Sequence, residues 1–326
     1  MRDLLIMADF SPESIERIRA AAEPVFHVEV LPSNSEPMLR YAGFRTAEVI
    51  IGEPQVEELE LAPQLKWMQI TWAGTDRYTQ NGTIPPEILL TNASGAFGVT
   101  ISEHAIGGLL ALCRHLPIYR SYQMRGVTHM AHREKLLYGG TAVIFGAGDI
   151  GTEIARRLRM FNMRTIGISR TAHALPPEFD EGYTLEEAEQ VLPKADVVIC
   201  CLPNTPETRG YFNRERLLKI KSDAVLVNVG RGNLICTEDL TAVMQEGHLF
   251  GAVLDVTDPE PLPKRHPLRK MRNVILTPHV AGLSLGGAEA TEQMIVGICC
   301  DNIRRYVAGE PLRNQVDLQL GYRVQK

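Results

Sequence analysis

The chain has little cysteine to work with: six in 326 residues, with no C-x-x-C pair and no cluster of histidines beside them. That pattern excludes the disulfide frameworks of small secreted domains and the usual zinc spacings. Cys113, Cys200, Cys201, Cys299 and Cys300 lie in apolar stretches and read as reduced core thiols, with Cys236 as packing. A basic excess is also missing. Lys and Arg number 34 against 39 Asp and Glu, a net charge of −5, which excludes the electrostatic footprint of a nucleic-acid surface. Arg17 and Arg19, and Arg156, Arg157 and Arg159, are then solvated helix faces. No apolar run approaches the roughly eighteen residues of a membrane span, and charge enters too early at Arg2 and Asp3 for a signal peptide. Short-period repeats and low-complexity segments are absent too. The expectation is a cytoplasmic protein that binds neither nucleic acid nor membrane.

What is present is a soluble globular composition, 44% hydrophobic and 22% charged, on a chain long enough for two domains. Residues 1–101 alternate strand and helix signals. Asp3–Met7, Val25–Val30, Ala47–Ile51, Lys66–Ile70 and Glu87–Thr91 read as strands, with helices at Pro12–Ala22 and Val56–Leu61 between them. The loop Trp72-Ala73-Gly74 follows a strand, where its amides can receive a carboxylate; an ordinary turn explains it equally well. Thr100 and Glu103 form a capping box for an apolar helix, His104 to Leu116, that stops at Pro117. Its His104 reads as a hydrogen-bonded core histidine or as a cleft residue.

From Thr141 the pattern becomes regular. Thr141–Phe145 is an apolar strand, and Gly146, Gly148 and Gly151 follow it in G-x-G-x-x-G spacing at the start of a helix. Each glycine meets a separate physical need, which is a tight turn at Gly146, close backbone approach to a pyrophosphate at Gly148, and helix-to-strand packing at Gly151. Asp149 and Ile150 complete the loop, and the helix N-terminus beyond it favours an anion. Arg164–Ser169, Asp196–Leu202, Ala224–Val229, Gly251–Asp255 and Val274–Thr277 continue the series. Further caps are expected at Thr184 with Glu187 and at Thr237. Six strands with intervening helices suit a doubly wound dinucleotide domain, and a last helix, Ala288 to Val307, returns to the first domain.

Three strand ends carry chemistry. Asn228-Val229-Gly230-Arg231-Gly232 supplies an arginine whose planar fork suits a carboxylate. Asp255 ends a strand and is followed by Glu260 in Asp258-Pro259-Glu260-Pro261. Thr277-Pro278-His279 ends the last strand in a group suited to proton transfer, which Glu260 can orient by accepting a hydrogen bond. Taken singly, a surface ion-pair arginine, a loop acid and a strand-end cap are equally good readings.

Together, the glycine fingerprint, the N-x-x-R-G arginine, Gly251-Ala252-Val253-Leu254-Asp255-Val256 leading to Glu260-Pro261-Leu262-Pro263, and Thr277-Pro278-His279 resemble the D-isomer-specific 2-hydroxyacid dehydrogenases. Glu103-His104-Ala105 and the run Leu202 to Gly210 extend the likeness along the chain. The resemblance implies an α/β fold with two doubly wound parallel-sheet domains. It implies further a Rossmann coenzyme domain (102–286) inserted in a discontinuous flavodoxin-like substrate domain (1–101 and 287–326), and a homodimer. It implies Arg231 as substrate clamp, His279 as acid/base and Glu260 as its partner. Trp72, Ala73 and Gly74 become the substrate-carboxylate loop, with Arg231 and His279 also touching substrate. Leu202 and Pro203, Val229 and Gly230, Asp255 near the nicotinamide carboxamide, and Gly282 line the coenzyme.

The second strand of the coenzyme domain ends Ser169-Arg170-Thr171, with no acid before Glu178, where an NAD-specific site carries one for the ribose 2′-hydroxyl. Arg170 between two hydroxyls suits a 2′-phosphate, so NADP(H) is favoured with NAD(H) still possible. Family members often have tryptophan where this chain reads Thr128-His129-Met130-Ala131-His132, which leaves the choice of 2-oxo acid open; Trp72, Tyr41 and Phe97 are candidates for an apolar wall, and core packing explains them equally well. Formate dehydrogenases carry glutamine at the place of Glu260, against that reading. The alternatives are a phosphite dehydrogenase, which shares the same three positions, and a nicotinamide-sensing corepressor, which shares the fold but has no need for arginine, glutamate and histidine together.

Overall fold

A computed structural model describes the chain except residues 32–34, 36, 80–82, 132, 171–173, 283–288 and 324–326. Its contacts divide into two units, Met1–Phe97 with Leu283–Lys326, and Gly98–Gly282. The first unit opens with five short apolar strands: β1 (Arg2–Ile6), β2 (Phe26–Val30), β3 (Ala47–Ile51), β4 (Trp67–Gln69) and β5 (Leu89–Thr91). All pairings are parallel and the order is β2-β1-β3-β4-β5, the flavodoxin-like winding. Helices α1 (Pro12–Ala22), α2 (Pro37–Thr46) and α3 (Asp76–Thr79) connect the strands. Ser11 caps α1, and Pro12 stands in its first turn, where a missing N–H costs nothing. Val56–Leu61 is a 3-10 segment and not the expected α-helix. Gln55 and Glu58 close a capping box there, and the following Ala62 N–H bonds Leu59 in the i→i+3 pattern.

The second unit begins with α4 (Gly98–Cys113) and α5 (Leu116–Met124). The helix expected from His104 thus starts earlier, because its buried stripe of Ala105, Leu109 and Leu112 extends back to Ile101; Thr100 is inside the helix. Pro117 does not end it. The break comes at His115, whose φ of 53° is left-handed, and Pro117 occupies the first turn of α5. Then follow β6 (Thr141–Phe145), α6 (Asp149–Arg159), β7 (Arg164–Ser169), β8 (Glu181–Thr184), β9 (Val197–Cys200), α7 (Arg214–Lys219), β10 (Val225–Asn228), α8 (Thr237–Gln245), β11 (Gly251–Leu254) and β12 (Val274–Leu276). The sheet is all parallel in the order β12-β11-β10-β9-β6-β7-β8, with seven strands where six are expected. β8 is the addition, an edge strand. Thr184 ends it and donates to Glu187, but the residues beyond form two 3-10 turns, so this box caps no α-helix. At α8 the cap position belongs to Cys236, and the Thr237 hydroxyl bonds Asp258 O. Val143, Phe145, Val198, Leu226 and Leu254 are fully or almost fully buried, as strands covered on both faces require.

The chain then returns to the first unit through α9 (Glu289–Ala308) and the short pair β13 (Val316–Asp317) and β14 (Tyr322–Arg323). Ala288 lies outside the described residues. Ile295, Cys299 and Ile303 of α9 are buried, and the helix packs on α1. Two polar devices fix it. Glu292 accepts from Ser11 and Ser14 at the N-terminus of α1. Asn302 donates to Gln69, which also accepts from Thr91, itself bonded to Trp67. Every member of that second group is buried, and each has a partner.

Candidate active site

Register brings the candidate residues of the second unit to one edge. Ile168, Phe145, Cys200, Asn228, Leu254 and Leu276 form a single row across the parallel sheet. The residues just beyond that row are Ser169, Gly146, Cys201, Val229, Asp255 and Thr277. The direction in which successive strands are added reverses between β6 and β9, the switch point where open α/β sheets form a crevice beyond the strand ends.

The three glycines at that point are required for different reasons. Gly146 has φ +110°, in a region open to glycine and strained for other residues. A Cβ on Gly151 would stand 1.8 Å from Gly146 O, so helix α6 can lie this close to its strand only without a side chain. Gly148 is different. It occupies the N-cap of α6 with no side-chain cap, and a Cβ there would meet nothing within 4 Å. The open face at Gly148 and the uncapped first turn fit a dinucleotide pyrophosphate. Asp149 and Ile150 form that turn, and Leu202, Pro203, Val229 and Gly230 lie on the neighbouring strand ends. Ser169 ends β7 and the exposed Arg170 follows it, and the Arg170 charge reaches Glu207, helping Thr205 to hold that carboxyl below the usual range. Thr171 falls outside the described residues, as does the run from Leu283; Gly282 is described and ends the unit.

Arg231 follows β10. Asn228, buried, donates to Arg231 O and accepts from Gly230 N, which folds the chain into the turn that presents the guanidinium. The turn is tight: a Cβ on Gly232 would meet Thr257 O at 2.0 Å. His279 follows β12 with φ 56° and a half-exposed ring. Its Nδ1 lies 2.7 Å from Glu260 Oε1, while Glu260 Oε2 accepts from Thr257 N. A carboxylate only accepts, so Nδ1 carries a hydrogen and Nε2 is the nitrogen left for proton exchange with a ligand. Asp255, expected to face a nicotinamide carboxamide, is 3% exposed, and its carboxylate accepts from Thr277, Val280 and Ala281. Sequence reasoning missed the bracing role of Asn228 and this inward commitment of Asp255, since both depend on partners that only the turn geometry supplies.

In the first unit, Trp72-Ala73-Gly74 follows β4. Ala93 N–H holds Trp72 O, and Asn92 holds Ala73 O at 2.7 Å. The Ala73 and Gly74 amides donate to no acceptor among the described residues. Below the loop, Glu53 accepts from the Thr71 amide and hydroxyl, and burial pushes its carboxyl above the usual range despite those bonds. Trp72 and Tyr41 are exposed and Phe97 is buried. Trp72 lies under the Arg77 guanidinium, 4.8 Å from its ring centre. The six cysteines are free thiols.

Comparison with known proteins agrees with this architecture. Residues 106–281 match the sequence model of the NAD-binding domain of D-isomer-specific 2-hydroxyacid dehydrogenases. A glyoxylate reductase of Pyrococcus furiosus is 34% identical over 247 residues, 73% of each chain. Among solved structures, a D-isomer-specific 2-hydroxyacid dehydrogenase family protein of Aeromonas salmonicida superimposes with TM-score 0.85 at 33% identity, covering 97% of this chain and 99% of its own. An NADPH-dependent glyoxylate/hydroxypyruvate reductase of Sinorhizobium meliloti, solved with NADP and sulfate, gives TM-score 0.82 at 26% identity over 99% and 100% of the two chains.

Proposed function

The chain belongs to the D-isomer-specific 2-hydroxyacid dehydrogenases, and on that premise we propose that it reduces a small 2-oxo acid to the D-2-hydroxy acid, with NADPH favoured over NADH. The observation that carries this reading is the His279–Glu260 pair at 2.7 Å, on the same sheet edge as Arg231 and the glycine loop.

When bound, the dinucleotide supplies a hydride to the carbonyl carbon. The remaining work falls to side chains. Arg231 pairs with the substrate carboxylate and polarises the ketone oxygen. As negative charge grows on that oxygen, His279 Nε2 delivers a proton to it. Glu260 keeps Nδ1, holding the ring in orientation and balancing the imidazolium. Ala73 and Gly74, whose amides have no acceptor among the described residues, are further donors for the carboxylate, with Trp72 beside them. Asp149, Ile150, Gly146, Gly148 and Gly151 form the pyrophosphate cradle; Leu202, Pro203, Val229, Gly230 and Gly282 line the coenzyme, and Asp255 supports it from beneath through the His279 turn.

Arg170 supports the NADPH preference, as does the NADP bound to the Sinorhizobium relative. Helix α5 has no buried residue, and Leu116, Met124, Met130, Leu136 and Tyr138 are exposed along the same stretch. This is support for a homodimer in which a second copy covers them. Free thiols support a reducing, cytoplasmic setting.

The test is oxidation of NADPH and NADH with glyoxylate, hydroxypyruvate, pyruvate, a branched 2-oxo acid and phenylpyruvate. Turnover with at least one, faster with NADPH, is expected. Tight dinucleotide binding with no acid reduced would overturn the reading.

A further inference from the structure

His104 on α4 is joined to the His279 turn by a chain of hydrogen bonds whose proton directions are fixed. Its Nε2 stands 3.1 Å from Thr277 Oγ1, and Thr277 Oγ1 stands 2.6 Å from Asp255 Oδ1. A threonine hydroxyl has one hydrogen to donate. Asp255 takes it, so Thr277 accepts from His104, and the imidazole carries its hydrogen on Nε2. At the other end, Asp255 Oδ1 accepts from Val280 N at 2.9 Å and Oδ2 from Ala281 N at 3.0 Å, while Asp255 O accepts from His279 N at 2.8 Å. These bonds enclose His279 itself, whose φ of 56° lies where a residue with a side chain is rarely found. The turn is therefore held from behind, and His104 is the outermost member of the brace.

Resting on the reading of His279 as the acid/base, we propose that His104 is a positioning residue for it. His104 orients Thr277, Thr277 orients the buried Asp255 carboxylate, and that carboxylate fixes the two amides immediately after His279. Without the imidazole, the Thr277 hydroxyl loses its donor and is free to rotate away from Asp255. The Val280 and Ala281 amides then share a carboxylate that is less firmly held, and His279 Nε2 moves relative to the substrate oxygen. Small displacements of this kind are enough to cost roughly 10- to 100-fold in rate.

The experiment compares His104→Leu, His104→Gln and Thr277→Val, and the double variant of His104→Leu with Thr277→Val. His104→Leu is expected to lower kcat by roughly 10- to 100-fold with little change in KM. His104→Gln, whose amide can still donate to Thr277, should recover most of that loss. The double variant should be no slower than the slower single one, because both substitutions break the same chain. A second readout needs no turnover: the downfield proton NMR signal of His279 Nδ1–H, held by Glu260, should shift or broaden in His104→Leu and return in His104→Gln. Unchanged kcat in His104→Leu, losses that multiply in the double variant, or an unmoved Nδ1–H signal would each overturn the proposal. Absence of turnover in the unaltered protein would instead count against the catalytic reading, with the NMR comparison still deciding whether His104 positions the turn.

Discussion

In the proposed reduction, His279 and Glu260 contribute unequally to one proton transfer. Removing the proton source in His279→Ala should lower kcat by about 10²- to 10⁴-fold, whereas Glu260→Gln keeps an acceptor for Nδ1 and should cost less; steady-state kinetics on both variants checks the order. Arg170 gives a second prediction. Arg170→Asp should lower kcat/KM for NADPH and raise it for NADH, since the guanidinium suited to a 2′-phosphate is replaced by an acceptor for a 2′-hydroxyl. Glu53 gives a third, on stability. Burial raises its carboxyl in the folded state, so the fold binds that proton more tightly than the unfolded chain does, and ionised Glu53 costs stability above the folded pKa. Glu53→Gln should therefore melt above the unaltered protein near pH 8, with the gap closing as pH falls from the raised folded pKa to the ordinary carboxylate range. The placement of Arg231, Glu260 and His279 beyond the ends of β10, β11 and β12 was legible in the sequence because each follows an apolar strand within a fixed motif. The bracing parts of His104 and Glu53 were not, because their partners lie 173 and 18 positions away, where no local pattern places them; Asn228 stood in its motif, but the bonds by which it folds the turn did not show there.

At the scale of elements, the glycine loop separates two kinds of necessity. Gly151→Ala puts a Cβ at 1.8 Å from a backbone oxygen, while Gly148→Ala puts one in open space. Thermal melts and dinucleotide titrations should part company accordingly. Gly151→Ala is expected to lower Tm and binding together, and Gly148→Ala to weaken binding while Tm stays within a degree or two. Helices and strands with apolar periodicity, such as Pro12–Ala22 and Ala47–Ile51, could be read to the residue. β8 could not: Glu181-Gly182-Tyr183-Thr184 has little of a buried strand's composition, and only pairing with β7 makes it one. The capping box at Thr100 misled because a cap is a local preference that the buried stripe of α4 outweighs, whereas the bonds of Thr184 to Glu187 form but lead into 3-10 turns.

The molecule as a whole is made of one unit that is continuous in sequence and one that is not. A fragment spanning 98–282 should fold alone, with a cooperative melt and retained dinucleotide binding, while a fragment spanning 1–97 should not, because its sheet lacks α9. Circular dichroism and proteolysis of the two fragments would check this. The Asn302–Gln69–Thr91–Trp67 bonds make the dependence concrete, since Gln69 and Thr91 are buried beneath a helix that the chain reaches only at its far end. On the ribosome this becomes a matter of waiting. With translation at about 5–20 residues per second, β1 to β5 must remain uncovered for on the order of ten to forty seconds while the whole inserted unit is made. During that interval the apolar strands of a nascent, half-finished sheet are open to chaperones and to neighbouring chains, so the yield of native protein should respond to translation speed through the segment 98–282.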